Sequence, residues 1–290
     1  MMRDPVKNIL ITGSKGQLGR EFQDLAAGYS DYRFLFTDKE NLDITSADAL
    51  AEYFRQNTID TVINCAGYTS VDAAEENVDL VKMVNARAVG QLAEAAASVN
   101  ALLVHLSTDY VFDGQSSRPY TESSPANPRS VYGKSKLDGE LEVILNATRS
   151  VIIRTSWLYS PYGQNFMKTV LSKVKQEKSL KVVFDQVGTP TYAADLAKAI
   201  LDILPGMPAK IRGEIFNYSN EGVCSWYDFA HAIIETEGLY CKLVPVLSKE
   251  LQTAASRPHY SVLDKSRIKK VFGIEIPHWR DGLRRCLEKM

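Results

Sequence analysis

Val6-Lys7-Asn8-Ile9-Leu10-Ile11-Thr12-Gly13-Ser14-Lys15-Gly16-Gln17-Leu18-Gly19 is the stretch that decides the fold. Its first seven residues make an apolar, β-branched run of the kind that fills a strand buried on both faces, and the run breaks at Gly13. Gly13, Gly16 and Gly19 follow at even spacing, and a helix should open at Gln17. A chain leaving a buried strand here must turn sharply, approach a pyrophosphate closely and pack a helix on the sheet, and each task favours a residue without Cβ. The helix start adds unpaired N–H groups and the positive end of its dipole. With 17 Gly in 290 residues, the spacing arises by chance about 0.06 times before the strand context is required. A glycine-rich turn without a ligand is the plainer alternative.

Working outward, similar apolar runs recur at 33–37 (RFLFT), 60–66 (DTVINCA), 101–107 (ALLVHLS) and 150–155 (SVIIRT), all read as strands buried on both faces. Helical spacing lies between them, at Ala47 to Arg55 and at Val81 to Val99. This alternation predicts an α/β fold, a Rossmann-type doubly wound parallel sheet. Beyond residue 155 the rhythm loosens around Pro161, Gly163, Gly188, Pro190, Pro205, Gly206 and Pro208. Residues 1–155 are thus read mainly as an NAD(P)-binding domain and 156–290 mainly as a smaller, interleaved substrate-binding lobe. Two late helices are expected, from Ser225 through Glu237 and from Trp279 to Lys289.

Charge and cysteine usage narrow the partners. Lys plus Arg number 34 against 35 Asp plus Glu, so the net charge of −1 supplies no long-range pull toward nucleic acid or anionic lipid. No run approaches the ~18 apolar residues of a membrane span, and the first residues do not read as a secretory signal. Cys65, Cys224, Cys241 and Cys286 form no CxxC pair, against a zinc site or a disulfide framework. A cytoplasmic protein is expected, with no metal site.

Asp38 closes the second strand nineteen residues beyond Gly19, where a carboxylate accepts hydrogen bonds from adenosine ribose hydroxyls and favours NADH. Lys15, Arg20 and Lys39 stand close enough in sequence to meet a 2′-phosphate, so NADPH stays equally open. Asp43 and Ile44 come next and could flank the adenine.

The fourth strand ends at Ser107-Thr108-Asp109-Tyr110, and Tyr132-Gly133-Lys134-Ser135-Lys136 follows twenty-four residues beyond Thr108. Carboxyl ends of strands are where such sheets bind ligands. Tyr132 and Lys136 are four apart and share a helix face, and an ammonium beside a phenol lowers a pKa that starts near ~10. About one such pair is expected by chance, so its position after the glycine loop and fourth strand carries the argument. Thr108 either donates to a substrate carbonyl or satisfies a backbone turn. Asn85, inside the long helix, either holds a relay water or bonds a neighbouring helix. His105, in an apolar strand, reads as a satisfied core histidine, and His231, His259 and His278 have no ligand spacing.

Together the glycine loop, the strand-end hydroxyl and the Tyr132/Lys136 pair resemble the extended short-chain dehydrogenase/reductase superfamily. The phrases Cys65-Ala66-Gly67-Tyr68-Thr69-Ser70-Val71-Asp72, Ser107 to Phe112, Arg154 to Tyr159, Asp185 to Thr191 and Ala255-Ser256-Arg257-Pro258 resemble the dTDP-4-dehydrorhamnose reductase family over nearly the whole chain. The resemblance implies reduction of the C4 keto group of dTDP-4-dehydro-L-rhamnose by NADPH or NADH. It implies cofactor contacts at Gly16, Gln17, Leu18, Ala66, Gly67, Tyr68 and Thr69, with Asp38, Asp43 and Ile44 on the adenosine side. It carries a catalytic triad onto Thr108, Tyr132 and Lys136, the last two also touching the cofactor, and sugar contacts onto Asp109 and Trp157. Arg257 would pair with the diphosphate, since a guanidinium can bind it at two points, and Trp157 would either lie against the sugar or anchor the lobes. Some members hold a divalent metal at a dimer contact, so a homodimer is compatible with the resemblance, although this sequence offers no ligand set for the metal. Two other readings compete: a related nucleotide-sugar epimerase or dehydratase, and a non-catalytic NAD(P)-binding regulatory subunit, which would not need Thr108, Tyr132 and Lys136 all intact.

Overall fold

The computed structural model describes residues 6–290. Strand β1 (Lys7–Thr12) runs into helix α1 (Gln17–Leu25) through the glycine loop. Then come β2 (Tyr32–Phe36), α2 (Ala47–Gln56), β3 (Thr61–Asn64), the short α3 (Val71–Ala74) and α4 (Val78–Lys82), α5 (Ala88–Ser98), β4 (Leu102–Thr108), α6 (Val131–Asn146) and β5 (Arg149–Thr155). The second half contributes β6 (Leu158–Tyr159), α7 (Phe166–Val174), β7 (Ser179–Val183), β8 (Val187–Gly188), β9 (Thr191–Tyr192), α8 (Ala193–Ile203), β10 (Glu214–Asn217), β11 (Cys224–Ser225), α9 (Trp226–Thr236), β12 (Lys242–Val246), α10 (Ser266–Phe272) and α11 (Trp279–Glu288).

Six strands form one sheet in the order β10-β5-β4-β3-β1-β2, every pair parallel. Side chains alternate across it as a strand requires. Ile9 and Ile11 face one layer with Leu18 and Phe22 of α1 and Leu196 and Ile200 of α8. Leu10 faces the other, with Leu50 and Phe54 of α2, Leu92 of α5 and Val143 of α6. Helices on both faces explain why the central strands read as unbroken apolar runs. The strand order reverses between β1 and β3, which opens a crevice at their carboxyl ends.

Two details differ from the sequence expectations, and a third shows where the two halves of the chain interleave. β2 is an edge strand whose residues are only half-buried or exposed, because one side of it has no neighbour and Phe34 stacks on Phe36 instead. The helix expected over 81–99 is interrupted by a π-helical turn at Met83–Arg87, which turns Asn85 into the interior. β10 and α8 come from the second half of the chain yet complete the sheet and one of its covering layers.

A separate core lies under the remaining second-half elements, with Tyr159, Met167, Leu180, Val182, Phe229, Ile233, Trp279 and Leu283 buried together. Ser225 caps α9 through a reciprocal pair of bonds with Asp228, so the helix starts one residue later than the periodicity suggests. Among the described residues no helix is long and apolar enough to cross a membrane.

Candidate active site

A cavity of about 810 Å³ opens at the carboxyl ends of the strands, with Gly16, Trp226 and Leu251 among its lining residues. The glycine loop is held close to the end of β3. Gly13 has φ +63°, and a Cβ there would lie 2.7 Å from the Ala66 backbone; one on Gly19 would lie 2.5 Å from Ser14 Cα. These two glycines shape the loop, while Gly16, Gln17 and Leu18 line the cavity. No side chain caps α1, so its first-turn amides are left for a ligand. An uncapped helix start behind a loop without Cβ atoms fits the phosphates of a dinucleotide.

Ala66, Gly67, Tyr68 and Thr69 form the adjoining wall. Asn85 holds this segment in place: its Oδ1 accepts from Tyr68 N at 2.8 Å, and its Nδ2 donates to Tyr68 O and to Ser135 Oγ, each at 3.0 Å. Of the two roles open to Asn85, the direct bond between neighbouring segments is the one seen. Asp38 accepts from the Lys15 and Lys39 amides at 3.0 and 2.7 Å. Asp43 accepts from the Thr45 amide and hydroxyl, which hold its carboxyl below the usual range, and Ile44 is buried in the core. Asp38, Asp43 and Ile44 therefore stand outside the cavity lining, at and after the end of β2. Lys15 forms an ion pair with Glu40 on the same rim.

Thr108, Asp109, Tyr132 and Lys136 all line the cavity. β4 delivers Thr108 at its last position, and α6, capped by Ser130 accepting from Gly133 N at 3.1 Å, presents Tyr132 and Lys136 one turn apart. Lys136 Nζ donates to the Leu106 carbonyl at 2.5 Å. Burial lowers its pKa to about 8 against the pull of Glu140 and Cys65. The Tyr132 phenol moves up to about 12 because loss of solvent dominates, with the Thr108 hydroxyl opposing and Asp109 adding to the rise. That direction is opposite to the one an adjacent ammonium would give, because the lysine points its charge at Leu106. Tyr110 packs edge-on to Tyr132 at 5.5 Å.

Thr108 Oγ1 donates to Asp109 Oδ1 at 3.1 Å and accepts from Tyr110 N at 3.2 Å. Asp109 is 2% exposed, and its Oδ2 has no partner among the described residues. Burial raises this carboxyl to about 6, opposed by hydrogen bonds from Ser261 and Thr108. An unpartnered buried oxygen on the cavity wall is an acceptor waiting for a ligand hydroxyl.

Trp157 stacks flat on Trp226, centroids 3.5 Å apart, with a left-handed φ of 47°. Trp157 follows β5 and Trp226 begins α9; both indoles pack against the second-half core and both border the cavity. Arg257 also borders it, but its guanidinium already pairs at two points with Asp72 of α3, Nη1 to Oδ1 at 3.0 Å.

Several lining residues escaped the sequence reading, among them Gln164, Asn165, Phe166, Gln186, Trp226 and Ser248. Asn165 caps α7 and donates to Gln17 Oε1 at 2.9 Å, which bridges the glycine loop to the second half. Gln186 lies within one of the phrases that carried the resemblance, and its Nε2 donates to Ser248 Oγ at 3.0 Å. Among the described residues no cluster of three or more His, Cys, Asp or Glu side chains is arranged to hold a metal.

The fold and this cavity have counterparts of known sequence and structure. A dTDP-4-dehydrorhamnose reductase of Aggregatibacter actinomycetemcomitans is 40% identical over 288 residues, 95% of this chain and 97% of its own. The crystal structure of a dTDP-4-dehydrorhamnose reductase from Clostridium acetobutylicum superposes with a TM-score of 0.92 at 41% identity, covering 97% of this chain and 99% of the other. Another, from Bacillus anthracis in complex with NADP, gives a TM-score of 0.93 at 35% identity, covering 98% and 99%. The RmlD substrate binding domain family matches residues 7–290, so the glycine loop, β4, α6 and the second-half lobe all fall within the matched span. The chain belongs to that family.

Proposed function

We propose that this protein uses NADPH or NADH to reduce the C4 keto group of dTDP-4-dehydro-L-rhamnose, yielding dTDP-L-rhamnose. One observation carries the reading: a single cavity is lined together by the start of an uncapped glycine-loop helix, by Thr108, Tyr132 and Lys136, and by the stacked indoles of Trp157 and Trp226. Relatives at 40% and 41% identity that bear the reductase name support it.

The reduced nicotinamide, when bound, supplies the hydride. Gly16, Gln17 and Leu18 hold its phosphates with backbone amides, and Ala66 to Thr69 flank it. Asp38, Asp43 and Ile44, beyond the main cavity, serve the adenosine end. Tyr132 is the general acid that protonates the oxygen at C4, and the raised pKa keeps that proton on its Oη at neutral pH. Lys136 binds on the ribose side and offsets the phenolate that remains. Thr108 turns its hydroxyl from Asp109 to the substrate oxygen, and Asp109 Oδ2 accepts from a sugar hydroxyl. Trp157, held between Trp226 and Gly188, borders the sugar with the part of its indole that lines the cavity, and the lobe 156–290 supplies that side of the site. Arg257 orients the diphosphate side while pinned by Asp72.

We place the activity in the cytoplasm, where the four free cysteines stay reduced and nucleotide sugars are made. The test is stoichiometry. A reductase consumes one reduced cofactor for each 4-keto sugar, and its product is a deoxyhexose with a C4 hydroxyl. An epimerase or dehydratase recycles its cofactor and shows no net consumption.

A further inference from the structure

His105 is fully buried in β4, and the site described above does not use it. The groups around it fix which of its nitrogens carries the proton. Ala66 N can only donate, and it donates to Asn64 Oδ1 at 3.2 Å; Thr12 Oγ1 donates to the same oxygen at 2.7 Å. Asn64 therefore turns its Nδ2 toward His105, 3.1 Å from Nδ1. A donor facing Nδ1 requires a lone pair there, which excludes the imidazolium and leaves the ring proton on Nε2. Burial drives the ring the same way, toward neutrality, and the nearby Lys136 charge adds to it.

Nε2 faces Lys136 Nζ at 3.5 Å. An Nε2–H set against an ammonium is two donors in opposition, whereas set against an amine it meets a lone pair. We propose that His105 is a positioning residue for Lys136: its Nε2–H, oriented through Asn64 by the two cofactor-bearing loops, favours the uncharged amine and sets the pH at which this lysine gains its charge. Thr12 immediately precedes the glycine loop and Ala66 opens the segment after β3, so the chain of bonds joins both loops to the lysine. The other groups facing Lys136 act oppositely or are spoken for: the Leu106 carbonyl accepts from Nζ at 2.5 Å and favours the charged form. Glu140, on α6, and Cys65, at the end of β3, favour the charged form, but Glu140 is shared with Arg154 and Ser107. Tyr132, one turn earlier, keeps its proton and brings no charge.

The proposal rests on Lys136 serving the cofactor side of the site, and the test is read without turnover so that the two can fail separately. In protein carrying 15N-histidine and 13C-lysine, with Lys136 assigned by Lys136→Arg, the His105 signals report a protonated Nε2 and a bare Nδ1 at every pH where the protein is folded. The Lys136 titration moves up by about one pH unit in His105→Phe and returns toward the wild-type position in His105→Gln, which restores a donor. The high-pH limb of kcat/KM moves with it. A wild-type ring protonated at Nδ1, or a Lys136 midpoint that His105→Phe leaves in place, overturns the proposal. The tautomer is read on wild-type protein, so a poorly folding variant leaves it testable. A protein that passes and yet reduces no sugar removes the function and leaves the His105 assignment standing.

Discussion

Asp72 of α3 and Arg257 of the second half form a two-point ion pair beside the cavity, and Asp72 Oδ1 also accepts from Ala255 N at 3.1 Å. A planar guanidinium held this way fixes the 253–258 loop relative to the cofactor wall. Arg257→Lys keeps the charge and loses the fork. It should raise KM for the dTDP-sugar about tenfold while changing kcat little, and Asp72→Asn should do the same. The double variant should be no worse than either alone, because the two act as a unit. Both side chains are partly exposed, so the melting temperature should barely move. Steady-state kinetics and a thermal melt on the four proteins check this.

The Asp109 carboxyl predicts a pH-dependent stability. Its folded pKa stands above the unfolded value of 3.8, at about 6. The stability it contributes is therefore complete below the unfolded value and is lost as pH rises through about 6. Asp109→Asn removes that loss, so relative to wild type it should gain about 1.4 kcal/mol between about pH 5 and pH 8. Urea denaturation at the two pH values measures it. Equal differences at both would contradict the burial cost placed on this carboxylate.

Gly19→Ala would set a methyl 2.5 Å from Ser14 Cα, a backbone atom that cannot move aside. It should cost about 1–3 kcal/mol of stability and weaken cofactor binding at least tenfold, since the loop must shift away from its phosphate-binding shape. Cofactor titration by fluorescence, beside a denaturation curve, separates the two effects.

The Trp157–Trp226 stack predicts an optical signal. Sugar nucleotide binding should quench tryptophan emission in wild-type protein, and Trp157→Phe should lose more than half of that quench while raising KM about tenfold. Full quenching in the variant would assign the signal to Trp226 or Trp279 instead.

Much of this was legible in the chain because local chemistry and the global fold agree there. The run from Ile9 to Thr12 is apolar because helices cover both faces of β1, and Gly13 and Gly19 are glycines because backbone stands where a Cβ would go. Tyr132 and Lys136 were readable as a pair because four residues on a helix make one face. The direction of the tyrosine's pKa was not, since it depends on Leu106 O capturing the lysine and on burial, neither of which a spacing records. β10 was invisible for a similar reason: Glu214–Asn217 is four residues long and becomes a strand only beside β5. The second half's share of the cavity lining includes Gln164, Gln186, Trp226 and Ser248, residues scattered over more than eighty positions and brought together by tertiary packing alone. The two-point pairing of Arg257 with Asp72, 185 residues away, likewise required the fold.

The most direct test of the central claim, that Tyr132 is the acid of a nicotinamide-dependent C4 reduction, is absorbance at the reduced-nicotinamide band. Wild-type protein and Tyr132→Phe would each be mixed with NADPH or NADH and dTDP-4-dehydro-L-rhamnose. Wild type should consume cofactor one-for-one with the sugar. The variant should bind both partners with little change in KM and turn over about 10²–10⁴-fold more slowly. Consumption of cofactor by the variant at the wild-type rate would contradict the account.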